Sequence, residues 1–248
     1  MMSFGVLTLN LWNISEPLEA RYAALETGLQ QLRPEIVCLQ EADRDPKSGQ
    51  RQSELVAKMC GHAHVTDSNG LAIVCSSPVI RSTSASLPEF PGDFPRQGLS
   101  AELLIDGRPL LVTNTHLAYP PEMIQERKRQ AEVLLAAIKH NRSAGRPIAQ
   151  VLCGDFNDTP DSPAVRAVLD SEEEFQDVFA EYSPDSPGIT YACHNKYVDP
   201  VWTVDERIDY IFASRDLVIK DCSVVFDGNN GFDLASDHFG VFCDLAFR

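Results

Sequence analysis

A chain of 248 residues with 44% hydrophobic and 23% charged content suits one large globular domain or two small ones. No apolar run approaches the roughly 20 residues that cross a bilayer as a helix, which argues against a transmembrane segment. The formal net charge of −15 lowers the expectation of an avid nucleic-acid binder or of docking to anionic membranes, because gripping a phosphate backbone needs a basic face.

The first ten residues carry no basic start and no small-residue cleavage site, and they read as a strand over residues 4–11 rather than as a signal peptide. Ser15 is a fair cap ahead of Pro17 near a helix start, and Tyr22, Leu25, Leu29 and Leu32 recur at helical spacing until Pro34. Residues 36–39 form the next apolar strand, 53–59 a short helix and 71–75 another strand. The pattern 99–105, Asp106-Gly107, 110–115 predicts a hairpin around a favoured Asp-Gly turn. Residues 121–140 give the longest helix, with Ile124, Ala131, Leu134, Leu135 and Ile138 as its inner stripe. A strand over 148–153, a helix opened by Ser162-Pro163, and strands over 208–213, 218–226 and 239–247 complete the chain. Residues 82–98 and 183–206 lack a regular pattern, and long loops in compact domains are often functional. No repeat or linker interrupts the sequence, so a single mixed α/β domain over 1–248 is expected.

Seven cysteines include no Cys-x-x-Cys pair, which argues against a zinc ribbon. Cys38, Cys75, Cys153 and Cys243 fall inside apolar runs, where a reduced cysteine packs as a small hydrophobe. The odd count and the absent signal predict a reducing, cytoplasmic compartment.

The chemistry-bearing residues sit where apolar strands end or begin. Gly154-Asp155-Phe156-Asn157 follows the 148–153 strand and places Asp155 and Asn157 two residues apart, on one face, with Phe156 turned into packing. An acid beside an amide can orient a water and bind an anionic oxygen, although the same residues also form capping turns. Glu41 and Asn10 end two apolar runs, and oxygen ligands at strand tips suit a hard cation such as Mg²⁺. Asp209 lies in an apolar strand and needs a partner, either an arginine such as Arg207 or His238 of Ser236-Asp237-His238. An Asp–His pair orients an imidazole and raises its basicity. His116 ends the 110–115 strand. Each residue alone has a bland reading as a turn former or solvated strand end. Together they match what phosphoryl transfer requires: a metal, a group to orient water, and donors for the equatorial oxygens.

The segments Thr8-Leu9-Asn10-Leu11-Trp12, Cys38-Leu39-Gln40-Glu41, Asn114-Thr115-His116-Leu117, Gly154-Asp155-Phe156-Asn157, residues 207–212 and Ser236-Asp237-His238 resemble, in order, the motifs of the endonuclease/exonuclease/phosphatase superfamily, with some likeness to its neutral sphingomyelinase branch. The resemblance implies a DNase I-like four-layer αββα sandwich of two mixed sheets with helices outside. It implies that Glu41 is the main Mg²⁺ ligand (Mn²⁺ as a substitute) with Asn10 close by and Asp237 in the metal shell. It further implies that Asp155 orients or deprotonates the attacking water and that Asn157 holds the phosphate. His116, and His238 oriented by Asp209, would stabilise the pentacoordinate state or protonate the leaving oxygen. Which residue is the base, and whether one or two metals act, stay open.

The substrate is less well marked. Arg96 can reach a phosphate or pair with an acid, and Tyr191, Lys196 and Trp202 lie in the irregular stretch before Asp209, where aromatics can stack on a base, box a choline-like cation or simply pack. The expectation is a monomeric phosphodiesterase for a small or lipid-like ester, with a nuclease or DNA-repair phosphodiesterase as the alternative. A phosphomonoesterase and a catalytically dead binding module are further options.

Overall fold

The apolar runs fold as strands buried on both faces, which is why they read as continuous rather than alternating. The computed structural model describes residues 3–46, 48–142, 148–229 and 231–248; Met1 and Met2, included in the N-terminal reading, lie outside the described residues. The elements in chain order are β1 (Phe4–Asn10), α1 (Leu18–Leu32), β2 (Ile36–Gln40), α2 (Gln52–Cys60), β3 (His64–Ser68), β4 (Leu71–Cys75), β5 (Val79–Ser86), β6 (Gln97–Ile105), β7 (Arg108–His116), α3 (Ile124–Asn141), β8 (Ala149–Asp155), α4 (Pro163–Leu169), β9 (Phe175–Asp177), α5 (Val178–Tyr182), β10 (Asp209–Ser214), β11 (Leu217–Val225) and β12 (Gly240–Phe247).

They form two six-stranded mixed sheets, ordered β11-β12-β1-β2-β4-β3 and β5-β6-β7-β8-β10-β9. Alternate residues of each central strand face opposite layers. Val6, Ile36, Cys38 and Ile73 meet Ala101, Val112, Val151 and Ile211 between the sheets. Leu7, Leu9 and Val37 instead pack under α1 and α2, with Leu25, Leu29 and Val56. Leu111, Leu152 and Phe212 pack under α3 and α4, with Leu134, Ile138 and Val165. Burying each such side chain stabilises the fold by about 1.5–3 kcal/mol before entropy is counted. The result is the expected αββα sandwich.

Several local expectations change. Pro17, not Ser15, is the N-cap of α1 and makes no side-chain cap bond; the Ser15 carbonyl instead accepts from Arg21. Ile124 is 43% exposed, because the inner face of α3 is completed by buried Arg127 and Gln130. The strands β3, β5 and β9 were not legible, and all three are sheet edges. An edge strand needs no two-sided apolar run, so VIRSTSAS and HVTDS read as polar stretches. Cys243 is not the free thiol expected: it lies directly across from Cys222 in the β11–β12 pairing and is joined to it in a disulfide. None of the described helices is long and apolar enough to cross a membrane.

Candidate active site

Pairing directions gather the polar strand ends. Because β1 runs parallel to β2, and β7 parallel to β8, the C-terminal ends of all four point the same way within their sheets. The antiparallel partners β10 and β12 begin where β8 and β1 end. Asp209 therefore faces Asp155 in register, and His116 is also opposite Asp155. His238 lies two residues before β12.

The side chains form a connected cluster around Asp155. Its Oδ2 accepts from Asn10 Nδ2 at 3.0 Å and lies 3.4 Å from His116 Nε2 and 3.8 Å from His238 Nε2. Its Oδ1 accepts from the Asn157 backbone N–H at 2.8 Å. Asn10 Nδ2 also reaches Glu41 Oε1 at 3.3 Å, while Asn13 Nδ2 donates to Glu41 Oε2 at 2.5 Å. His238 Nδ1 is 2.9 Å from Asp209 Oδ2. Arg207, the other candidate partner for Asp209, is committed elsewhere, with Nη1 2.9 and 2.8 Å from the two oxygens of Asp177. Asp237 is buried beside this cluster and accepts from Ser236 Oγ at 3.1 Å.

The backbone at these points is unusual. Glu41 and Asn157 adopt φ of 51° and 49°, and Trp12 and Asn13 are left-handed too. Such residues commonly cluster at functional sites. Gly154 has φ 146°, and a Cβ there would sit 2.0 Å from the Thr115 carbonyl oxygen of the parallel neighbour. Phe156 turns away from the cluster as expected and packs edge-on to Tyr210 and Phe212 at 5.5 and 5.3 Å.

Electrostatics separate the two histidines. Burial pushes His116 down to about 4, against the pull of Asp155, so it is neutral. Burial would also lower His238, but the charges of Asp209 and Asp155, the hydrogen bond to Asp209 and the charge of Asp237 outweigh it and hold His238 well above its ordinary value. Environments that split two titratable groups mark distinct proton-transfer roles. Burial, with repulsion from Glu41 and Asp155, raises Asp237 to about 6; burial likewise raises Glu41. Acids that repel one another in a buried site are a setting for a cation.

Two donor sets could hold one. The ligand atoms of Asp155, Asp209 and His238 lie within 4.8 Å of one another. Yet His238 Nδ1 and Asp209 Oδ2 are already bonded to each other, and a cationic imidazole is no ligand. The oxygens of Asn10, Glu41 and Asp237, next to Asp155, are the donors a hard divalent cation prefers, so this set fits better.

The four residues expected at the substrate divide. Arg96 is paired with Asp93, Nε to Oδ2 at 2.9 Å and Nη2 to Oδ1 at 2.6 Å, although its charge still acts on Glu41 and His116. The Tyr191 ring packs on His238 at 4.8 Å and edge-on to Trp202 at 5.5 Å, so Tyr191 backs His238 and Trp202 backs Tyr191. Lys196 is exposed, with Nζ 4.9 Å from the Tyr197 ring.

Sequence reasoning missed several residues that position the site. Asn114 donates to the Leu39 and Ala72 carbonyls at 2.8 and 3.0 Å and accepts from Gln40 at 2.7 Å, joining the two sheets just behind Glu41. Asn195 Nδ2 donates to the Ser236 and Asp237 carbonyls, each at 2.9 Å. Thr190 Oγ1 accepts from the Ile208 and Asp209 backbone N–H groups at 3.1 Å. Asn114 was marked by being polar inside an apolar strand and by standing in the Asn114-Thr115-His116-Leu117 segment.

A model of the Endonuclease/Exonuclease/phosphatase family matches residues 7–238. Protein angel homolog 1 of Rattus norvegicus is 28% identical over 207 residues, covering 71% of this chain and 31% of the relative. The Homo sapiens protein of that name is 27% identical over the same length and coverage. The chain thus spans only 31% of the length of these relatives. Among solved structures, the human Nocturnin catalytic domain with bound sulfate aligns at TM-score 0.78 and 19% identity, covering 99% of this chain and 95% of that one. TDP2 of D. rerio complexed with a single-strand DNA product aligns at 0.80 and 20% identity, covering 99% and 100%. A mannosyl-6-phosphatase of Bacteroides thetaiotaomicron aligns at 0.78 and 19% identity, covering 99% and 100%. At such identities the structures speak for the fold, while the family model carries the assignment across nearly the whole chain: it belongs to the Endonuclease/Exonuclease/phosphatase family.

Proposed function

We propose that this chain is a Mg²⁺-dependent phosphodiesterase that cleaves a small phosphate ester by attack of water. The observation that carries the reading is the contact chain Glu41–Asn10–Asp155 beside the Asp209–His238 pair, built from both sheets. Glu41 and Asn10, with Asp237, would hold the cation. When bound, it neutralises charge on the phosphoryl oxygens.

The remaining roles follow from charge and geometry. Asp155, with both oxygens held by Asn10 and by the Asn157 backbone, is the fixed carboxylate that orients the attacking water and takes its proton. Asn157 donates one amide N–H to the Leu117 carbonyl at 3.2 Å and keeps another for a phosphoryl oxygen. His238 is held by Asp209 as an imidazolium with Nε2 turned toward Asp155; it stabilises the developing charge and gives its proton to the leaving oxygen as the P–O bond breaks. Neutral His116 donates a hydrogen bond to the same region without adding charge.

A nuclease is the second reading. Its support is Arg44 and Arg51 in a hollow of about 230 Å³ beside Ala42, where Asp43 and Asp67 offset them and Arg51 is paired with Asp67. The net charge of −15 favours the small ester. The test is turnover of bis-p-nitrophenyl phosphate and plasmid DNA with Mg²⁺, Mn²⁺ or EDTA. Loss in EDTA is expected; metal-independent turnover, or none at high enzyme concentration, refutes the reading. Duplex cleavage with a steep salt slope would transfer support to the nuclease.

A further inference from the structure

A second aromatic pair, from segments far apart in the chain, stands beside the cluster. Trp12 and Tyr197 are half-buried, with ring centroids 5.7 Å apart and planes tilted by 35°. Both are fastened to the residues that would hold the cation. The Trp12 N–H donates to Asn10 Oδ1 at 2.9 Å, and the next residue, Asn13, is the one that grips Glu41. Tyr197 is set by Asn195, whose Oδ1 accepts from its N–H at 3.1 Å and whose Nδ2 holds the Asp237 carbonyl.

Positive charge already faces both rings. The guanidinium of Arg21, a fully buried residue, lies 5.0 Å from the Trp12 ring and bonds to the carbonyls of Ala235, Ser15 and Leu11. The Lys196 ammonium is 4.9 Å from the Tyr197 ring. An aromatic box for a quaternary ammonium works because the ring faces are negative and free of other cations. Here two faces are taken by cations, which repel choline. A neutral flat ring can still stack on the exposed side of this half-buried pair.

We propose, resting on the phosphohydrolase reading above, that Trp12 and Tyr197 form a ring-binding subsite which takes the base of a small nucleotide ester rather than a choline headgroup.

Three esters with the same leaving group test this: the p-nitrophenyl phosphodiesters of thymidine, methanol and choline. The thymidine ester should exceed the methyl ester by about tenfold in kcat/KM, as one stacked base implies, and the choline ester should not exceed the methyl ester. Trp12→Ala, or Tyr197→Ala where the first fails to fold, should cost the thymidine ester about tenfold more than the methyl ester. Preference for choline, parity of thymidine and methyl, or equal losses on all three overturns the subsite. If no ester turns over, the hydrolase reading fails by itself. The subsite is then judged by quenching of Trp12 fluorescence in the Trp202→Phe protein: thymidine 5′-phosphate should quench it and phosphorylcholine should not, and the reverse, or no quenching, refutes it.

Discussion

Asp209 Oδ2 lies 2.9 Å from Nδ1 of His238, while Arg207, two residues before Asp209, spends its charge on Asp177. The buried carboxylate is therefore matched to an imidazole and not to the neighbouring guanidinium. Removing its charge should be felt at His238 first. Asp209→Asn should lower kcat by about 100-fold or more, in the range of a lost proton-transfer group, and move the alkaline limb of the pH–rate profile to lower pH.

The stability consequence has a definite sign. The folded His238 pKa is raised above its unfolded value, so its contribution is fully present below about 6.5 and is lost as pH rises through the folded value. Urea unfolding of the metal-free protein should show wild type exceeding Asp209→Asn by more at pH 6 than at pH 10. A difference that does not change with pH would mean that the pair is uncharged.

Asp155 is the acceptor that Asn10 and Asn157 share, and His116 Nε2 lies 3.4 Å from it. Asp155→Ala should retain the far-UV spectrum and lose at least about a hundredfold in turnover. Near-wild-type turnover by a folded variant would remove Asp155 from the chemistry.

Glu41 and Asp237 repel each other within one buried site. A divalent cation should relieve that, so Mg²⁺ should raise the melting temperature of the wild type in a concentration-dependent way. Glu41→Gln should weaken the effect and raise the metal concentration needed for turnover by about tenfold or more, the scale of a lost ligand or its support. An unaltered metal dependence would mean that Glu41 is not a ligand.

Gly154 carries a structural prediction. With φ at 146° and the Thr115 carbonyl where a Cβ would go, Gly154→Ala forces β8 away from β7. A loss on the order of 3 kcal/mol in urea unfolding is expected, from strain plus a disrupted buried pairing. A loss under about 1 kcal/mol, the usual scale for a point substitution, would show that the parallel pair yields easily.

The strands that build the interior were legible because burial on both faces leaves an unbroken apolar run, as at β1, β2, β4 and β8. The Asp106-Gly107 turn was legible because two successive positive φ angles demand those residue types. Edge strands such as β5 were hidden, since their outer faces meet water and their pattern is polar. Of the alternatives open for the aromatic loop, packing holds for Tyr191 and Trp202. Tyr191 packs on His238, and Trp12 meets Tyr197, 185 residues away in a chain whose spacing carries no trace of the contact.

The same division holds at the candidate site. Sequence alone placed Asn10, Glu41, His116, Asp155, Asp209 and His238 at strand boundaries, because a polar residue ending an apolar run is visible in one dimension. Only the tertiary structure decided that Asp209 takes His238 over Arg207, that Arg96 is held by Asp93, and that one histidine is neutral and the other cationic. Those outcomes depend on sheet order and register, which put Asp209 opposite Asp155 and His238 beside both. Partner choice and proton affinity are set by distances of a few ångströms and by burial, and neither exists until the two sheets pack.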